Sequence, residues 1–143
     1  MKTIQRFLSE ANQSIHTIAP DESVYNALVL MAADNLSVLM VTEGDRLSGI
    51  ISERDYARKI ALHGKNSKET PVRDIMTPAP FTVRPEQTLD DCMSLMIEKK
   101  IRHLPVVSAS NDILGIISIR DVVKEVMDEQ KFLIAELQRY IAG

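Results

Sequence analysis

The chain has 143 residues, a formal net charge of −3, 45% hydrophobic residues and only 4% aromatics. That length and hydrophobic content exclude a disordered chain and allow a sizeable core of aliphatic side chains. The negative balance argues against a nucleic-acid binder that works by bulk electrostatics.

The apolar run at 27–33 is the longest, far short of the roughly 20 residues a membrane helix needs. The N-terminus lacks the apolar stretch of a signal peptide. Lone Cys92 cannot form an internal disulfide, so a reducing cytoplasm is the expected setting.

In chain order, residues 3–10 read as a short helix with Ile4, Phe7 and Leu8 on one side. An extended piece at 15–19 is closed by Pro20, and Ser23 then caps a helix whose Val24, Ala27, Leu28 and Met31 recur at helical spacing. A buried strand at 38–41, a polar turn at 43–46 and a strand at 47–51 lead into a second helix at Ser52. Residues 63–70 are polar and form a linker, after which 71–77 re-enters the fold.

The same order then returns. Residues 81–84 are extended and closed by Pro85. Thr88 caps a helix carrying Leu89, Met93 and Met96. The strand at 104–107 contains Pro105, which cannot donate to a ladder and so belongs at the strand's start or its edge. A turn at 108–112, a strand at 113–117 and a helix from Ser118 complete the second set. Beyond them, Leu133, Leu137, Tyr140 and Ile141 form an amphipathic stripe that docks either on the chain's own body or on a second subunit. The expected division is an N-terminal arm at 1–14, one repeat with its linker at 15–70, a second repeat at 71–127, and a C-terminal amphipathic helix at 128–143.

The return is residue for residue. Thr17, Pro20, Met31, Leu39 and Val41 match Thr82, Pro85, Met96, Leu104 and Val106 at an offset of 65. One extra residue in the last turn shifts Gly49, Ser52, Arg54 and Asp55 onto Gly115, Ser118, Arg120 and Asp121 at an offset of 66. The chain is a tandem duplication of a β-α-β-β-α unit, and its fold class is α+β.

Ser followed three residues later by an acid is a helix capping box, and a single copy would be structural. Here the motif occurs twice, each time behind a glycine expected to end a strand and with an arginine before the acid. A helix N-terminus offers free N–H groups and partial positive charge to a phosphate. An adjacent arginine adds charge-assisted bonds. An aspartate accepts hydrogen bonds from vicinal hydroxyls, as in other nucleotide sites. Together the three residue types describe a site for a ribose-phosphate.

Both Gly-x-x-Ser-x-x-Asp stretches, Arg102-His103-Leu104-Pro105-Val106 and Asp74-Ile75-Met76-Thr77 give a pattern that resembles a tandem pair of cystathionine β-synthase (CBS) domains, a Bateman module, of the stand-alone type. The resemblance covers about 15–124. It implies two pseudo-symmetric repeats packed through their sheets, with clefts that bind AMP, ATP, NAD, S-adenosylmethionine or a related adenosyl ligand as a regulator rather than an obligatory cofactor. It implies that Asp55 and Asp121 hold ribose hydroxyls, and that Ser52, Ser118, Arg54 and Arg120 contact phosphate. It further implies that Thr17, Ile18, Thr82 and Val83 border the base. Arg102 and His103, before the Leu-Pro-Val strand, are expected at phosphates, often of the ligand held mainly by the other repeat. Their counterparts Ser37 and Val38 carry no charge, so the two sites are expected to be unequal: if phosphate contacts cross between repeats, the Asp55 site is the more cationic and the Asp121 site leans on Arg120, the more so below pH ~6.5, where an ordinary histidine protonates. A homodimer and an unidentified target protein are the implied partners.

Other readings weigh less. A hydrolytic triad of Ser52, His103 and Asp55 competes with capping, and Arg102 beside His103 suits anion binding better than nucleophile activation, so an enzyme is not expected. His16, His63, His103 and Cys92 lack the spacing of a metal site. Arg58, Lys59, His63, Lys65 and Lys68 read as a solvated face rather than an RNA contact. The serious alternative is a ligand-free dimerisation or docking scaffold with the same fold.

Overall fold

A computed structural model describes residues 1–142. Helix α1 spans Ile4–Ala11, with the Thr3 hydroxyl accepting from the Arg6 N–H at its start. Strand β1, Thr17–Ile18, is followed by α2, Val24–Ala33, capped by Ser23. Strands β2, Val38–Glu43, and β3, Arg46–Ser52, precede α3, Glu53–Tyr56, which widens at once into a π-helical turn, Ala57–Ala61. A 3-10 turn, Val72–Asp74, and β4, Thr77–Pro78, lead to α4, Leu89–Lys99. Strands β5, His103–Val107, and β6, Ile113–Ser118, run into α5, Ile119–Ala142.

The chain divides into two compact units, and neither is a contiguous stretch of sequence. The first comprises residues 14–81 and 107–114. Its sheet has the order β1-β2-β3-β4, with β1 parallel to β2 and the other pairs antiparallel. Along β3 the buried positions alternate through Leu47, Gly49 and Ile51, as expected of a strand with one face on a core. Val24, Ala27 and Met31 of α2 meet that face, together with Ile18, Leu39, Val41 and Ile60. Val72 and Ile75 join the same core, so 71–81 packs with the first repeat although it lies beyond the expected boundary at 70/71.

The second unit contains residues 1–13, 82–106 and those from 115 onward. Strands β5 and β6 pair, and Val83 adds a parallel bridge to Val106. Leu89, Cys92 and Met96 of α4 pack on Leu104, Val106, Ile117 and Val122. Ile4 of α1, fully buried, completes this core. The N-terminal segment is therefore part of the body that holds the second repeat. Burial drives the Cys92 thiol up to about 12, so it stays protonated and behaves as a small apolar side chain.

Two local expectations change. Pro105 keeps one of its two expected places: it is the third residue of β5, a strand at the edge of the two-stranded sheet. Its carbonyl accepts from the Val83 N–H at 3.0 Å, so the missing proline N–H points to the same side, where only a single bridge forms. Gly49 and Gly115 lie inside β3 and β6 rather than at strand ends. The C-terminal helix is not a separate short element, since α5 runs 24 residues without a break from the end of β6.

Candidate functional site

The two Ser-x-x-Asp motifs fold into nearly identical local structures, one in each unit. The Ser52 hydroxyl accepts from the Asp55 N–H at 3.1 Å, while the Asp55 Oδ2 accepts from the Ser52 N–H at 2.9 Å and from the Ser52 hydroxyl at 3.0 Å. In the second copy the corresponding distances are 3.2, 2.8 and 3.0 Å. This reciprocal capping satisfies orphan backbone donors at the start of α3 and α5, the ordinary reason for such residues there. Both aspartates remain partly accessible.

A further pair of matched bonds brings the neighbouring strand to each helix start. The Ser37 carbonyl accepts from the Glu53 N–H at 3.0 Å, and the Arg102 carbonyl accepts from the Ile119 N–H at 2.8 Å. The sequence thus places Ser37 and Val38 beside Ser52 and Asp55, and Arg102 and His103 beside Ser118 and Asp121. The two settings differ: the first strand start brings no charge, and the second brings a guanidinium and an imidazole to the Asp121 side, whereas contacts crossing between repeats were expected to make the Asp55 site the more cationic. Burial pushes His103 below its ordinary range, opposed by the Asp121 carboxylate and reinforced by the Arg102 charge. The expected gain of positive charge below pH ~6.5 is therefore displaced to lower pH.

Arg54, Arg102 and Arg120 are exposed, and none forms an ion pair among the described residues. Three uncommitted guanidiniums near two helix starts are suited to phosphate oxygens.

The residues assigned to the base divide. Ile18 and Val83 are buried in their cores, so their side chains are committed to packing. Thr17 is exposed and Thr82 half-buried. Thr17 and Ile18 line a cavity of about 400 Å³ with Glu22, Asn26, Val29 and Leu30, within the size range of small-molecule pockets. Ser52 and Asp55 are not among its lining residues, so this cavity does not join the base-side residues to the ribose-side ones.

Lys59 is a site neighbour whose position was legible only as part of a basic run. Its ammonium lies 3.1 Å from the Asp55 Oδ1 and donates to the Ile75 carbonyl at 2.8 Å. The i,i+4 spacing was the available signal. Lys68, from the same basic run, lies over the Tyr25 ring at 4.9 Å. The glycines before each motif are also explained: a Cβ on Gly49 would meet the Met76 sulfur at 2.6 Å and the Thr77 carbonyl at 2.9 Å. One on Gly115 would meet Leu8 at 2.7 Å and Gln13 at 2.9 Å. The close approach is made by the protein's own chain.

Among the described residues, no group of three or more His, Cys, Asp or Glu is arranged to hold a metal ion. No described helix is long and apolar enough to cross a membrane.

The family model described as CBS domain matches residues 8–62 and 72–128. The mitochondrial CBS domain-containing protein CBSX3 of Arabidopsis thaliana is 41% identical over 128 residues, covering 86% of this chain and 62% of its own length. Protein MK0525 of Methanopyrus kandleri is 33% identical over 115 residues, 80% of this chain and 59% of that protein. The chain thus spans about three fifths of the length of these curated relatives. Among solved structures, a protein with CBS domains from Burkholderia ambifaria superposes with a TM-score of 0.83 at 41% identity, over 90% of this chain and 96% of that one. CBSX2, solved in complex with AMP, superposes with a TM-score of 0.76 at 29% identity, over 91% and 99%.

Proposed function

We propose, from the premise that this chain belongs to the CBS domain family, that it is a regulatory module binding an adenosine-containing ligand beside the helix starts at Ser52–Asp55 and Ser118–Asp121. The observation that carries this reading is the duplicated geometry: a part-exposed aspartate at a helix N-terminus, a capping serine, and an exposed arginine without an ion-pair partner among the described residues. Capping alone accounts for the serine and the acid but not for both arginines. The AMP complex of CBSX2 supports the same ligand class. Asp55 and Asp121 receive ribose hydroxyls, and Ser52, Arg54, Ser118 and Arg120 receive phosphate. Thr17 and Thr82 border the base, with Ile18 and Val83 contributing backbone. Arg102 and His103 add positive charge at phosphates, and Ser37 and Val38 are their uncharged counterparts.

The module binds rather than catalyses. Each serine hydroxyl already donates to its aspartate and accepts from the aspartate N–H. These bonds commit each serine and aspartate to capping a helix start. Ligand binding shifts the protein between states by differential affinity, and a partner protein reads the change. A homodimer is supported by the exposed apolar stripe on α5, where Leu133, Leu137, Tyr140 and Ile141 range from 55% to 88% exposed. A reducing, cytoplasmic setting rests on the single buried Cys92.

Calorimetric titration with AMP, ATP, NAD and S-adenosylmethionine tests the reading, and sedimentation velocity at micromolar concentration tests the dimer. A second reading, a ligand-free docking scaffold, is favoured by the completeness of the capping boxes and by the same α5 stripe. Absence of heat and of thermal stabilisation with all four ligands would establish it.

A further inference from the structure

Lys59 and Glu125 occupy the same place in the two repeats, four residues after the aspartate of each motif. Their surroundings are opposite. Lys59 holds the second oxygen of Asp55 at 3.1 Å and is anchored from behind by the Ile75 carbonyl at 2.8 Å. With Oδ2 taken by the Ser52 N–H and hydroxyl, both carboxylate oxygens of Asp55 are engaged. Glu125 turns to Lys2, 3.2 Å away, and Asp121 Oδ1 has no hydrogen-bond or ion-pair partner among the described residues.

We infer that Lys59 is a built-in competitor for ligand at Asp55, so that the Asp121 site fills first and the Asp55 site only at higher ligand concentration. The inference rests on the adenosine reading above. With both acceptor sites of Oδ2 filled, a ribose diol that donates through two hydroxyls needs both sites of Oδ1, and Lys59 holds one of them, so ligand and Lys59 compete at Oδ1. When only the fraction of molecules with Lys59 displaced is competent, the apparent dissociation constant rises in inverse proportion to that fraction. The Lys59 side chain is 45% exposed against 15% for Asp55, so the ammonium can leave to solvent from the partly shielded carboxylate. The device therefore sets an order of filling rather than closing the site. The π-helical turn Ala57–Ala61 that carries Lys59 has no counterpart in α5, which keeps Glu125 in regular α-helix.

The test is calorimetric titration of the full chain with AMP and with uncharged adenosine, in wild type, Asp55→Ala, Asp121→Ala, and Asp121→Ala combined with Lys59→Met or Lys59→Gln. Circular dichroism melting confirms that each variant is folded, and the Gln variant serves if Met is not. The expected result is that Asp121→Ala removes the tighter phase while Asp55→Ala leaves it. Removing the Lys59 charge should then tighten the remaining site roughly three- to tenfold for both ligands, the scale of an exposed ion pair with one added hydrogen bond. Unchanged affinity in the Lys59 variants, with adenosine ligands still bound, would overturn the inference and leave the adenosine reading standing. Weaker AMP binding with adenosine unaffected would also overturn it, showing Lys59 to be a phosphate ligand. No binding in wild type or any variant would overturn the adenosine reading, and this inference with it.

Discussion

The Val72 N–H donates to the Glu22 carbonyl at 2.8 Å, which ties a residue beyond the first repeat's linker to the start of that repeat's first helix. The same relation recurs in the other unit, where the Ile4 N–H donates to the Gln87 carbonyl at 2.8 Å. Glu22 and Gln87 are equivalent positions of the duplication, and Val72 and Ile4 are both fully buried. Val72→Ala and Ile4→Ala should each destabilise the protein by about 2–4 kcal/mol, the cost of a vacated aliphatic site in a close-packed core. Denaturant melts check this. A loss below about 0.5 kcal/mol, the scale of surface substitutions, would show these segments to be peripheral.

Gly49 and Gly115 should differ in their tolerance of alanine. At Gly49 the new methyl meets a backbone carbonyl, Thr77, as well as the Met76 sulfur, and the β3–β4 pairing restrains the backbone. At Gly115 it meets only the ends of the Leu8 and Gln13 side chains, which can shift, at the expense of the two bonds Gln13 makes to the Ile116 backbone. Gly49→Ala should cost about 1–3 kcal/mol and Gly115→Ala less, as thermal melts of the two variants will report.

Element types and their order were legible because the periodicities are clean: Val24, Ala27 and Met31 face the core as spaced, and Ser23, Thr88 and Ser52 cap as their side chains predict. The destination of the flanks was not. Nothing local in Pro71-Val72-Arg73 or Thr3-Ile4-Gln5 says which repeat will receive them, because that choice is fixed by long-range burial. The site was legible as residue types through its duplication. The commitment of Asp55 to Lys59, and the core positions of the Ile18 and Val83 side chains, depend on packing directions that spacing alone does not reveal.

Asp55→Ala and Asp121→Ala should each weaken one class of adenosine-ligand binding by about 1.5–3 kcal/mol, the loss of a charged hydrogen-bond acceptor. Each should also cost about 1 kcal/mol of stability through the lost cap. Arg102→Ala should lower affinity for ATP or NAD more than for AMP, and leave adenosine nearly unchanged, with a shallower dependence on salt. Combining it with each aspartate variant shows which carboxylate shares its ligand. Equal losses across the ligand series would make Arg102 a packing residue.

His103 gives a pH signature. Its folded-state value is lowered, so the unfolded chain takes up the proton first as pH falls. Its contribution to stability is therefore full above the ordinary value of about 6.5 and is lost progressively below it, down to the folded value. Melting temperature should fall between pH 7.5 and 5.5, and His103→Gln should reduce that slope. A phosphate seated beside His103 would favour the imidazolium, so ligand binding near pH 6 should take up protons. Calorimetry in buffers of different ionisation enthalpy measures that uptake.

The placement of Val72 and Ile75 in one core, and of Ile4 in the other, changes what a half of this protein would be. A fragment ending at residue 70 would keep β1, β2 and β3 but lose β4 and two of the side chains that fill its core. A fragment starting at residue 71 would carry those side chains and lack Ile4. Neither fragment should fold on its own to the packing it has in the whole chain. Mixed in solution, the two fragments should regain the missing packing only together. The duplication has therefore produced a pair in which neither copy can be shed, and each is free to diverge at its ligand-facing residues while remaining indispensable as structure.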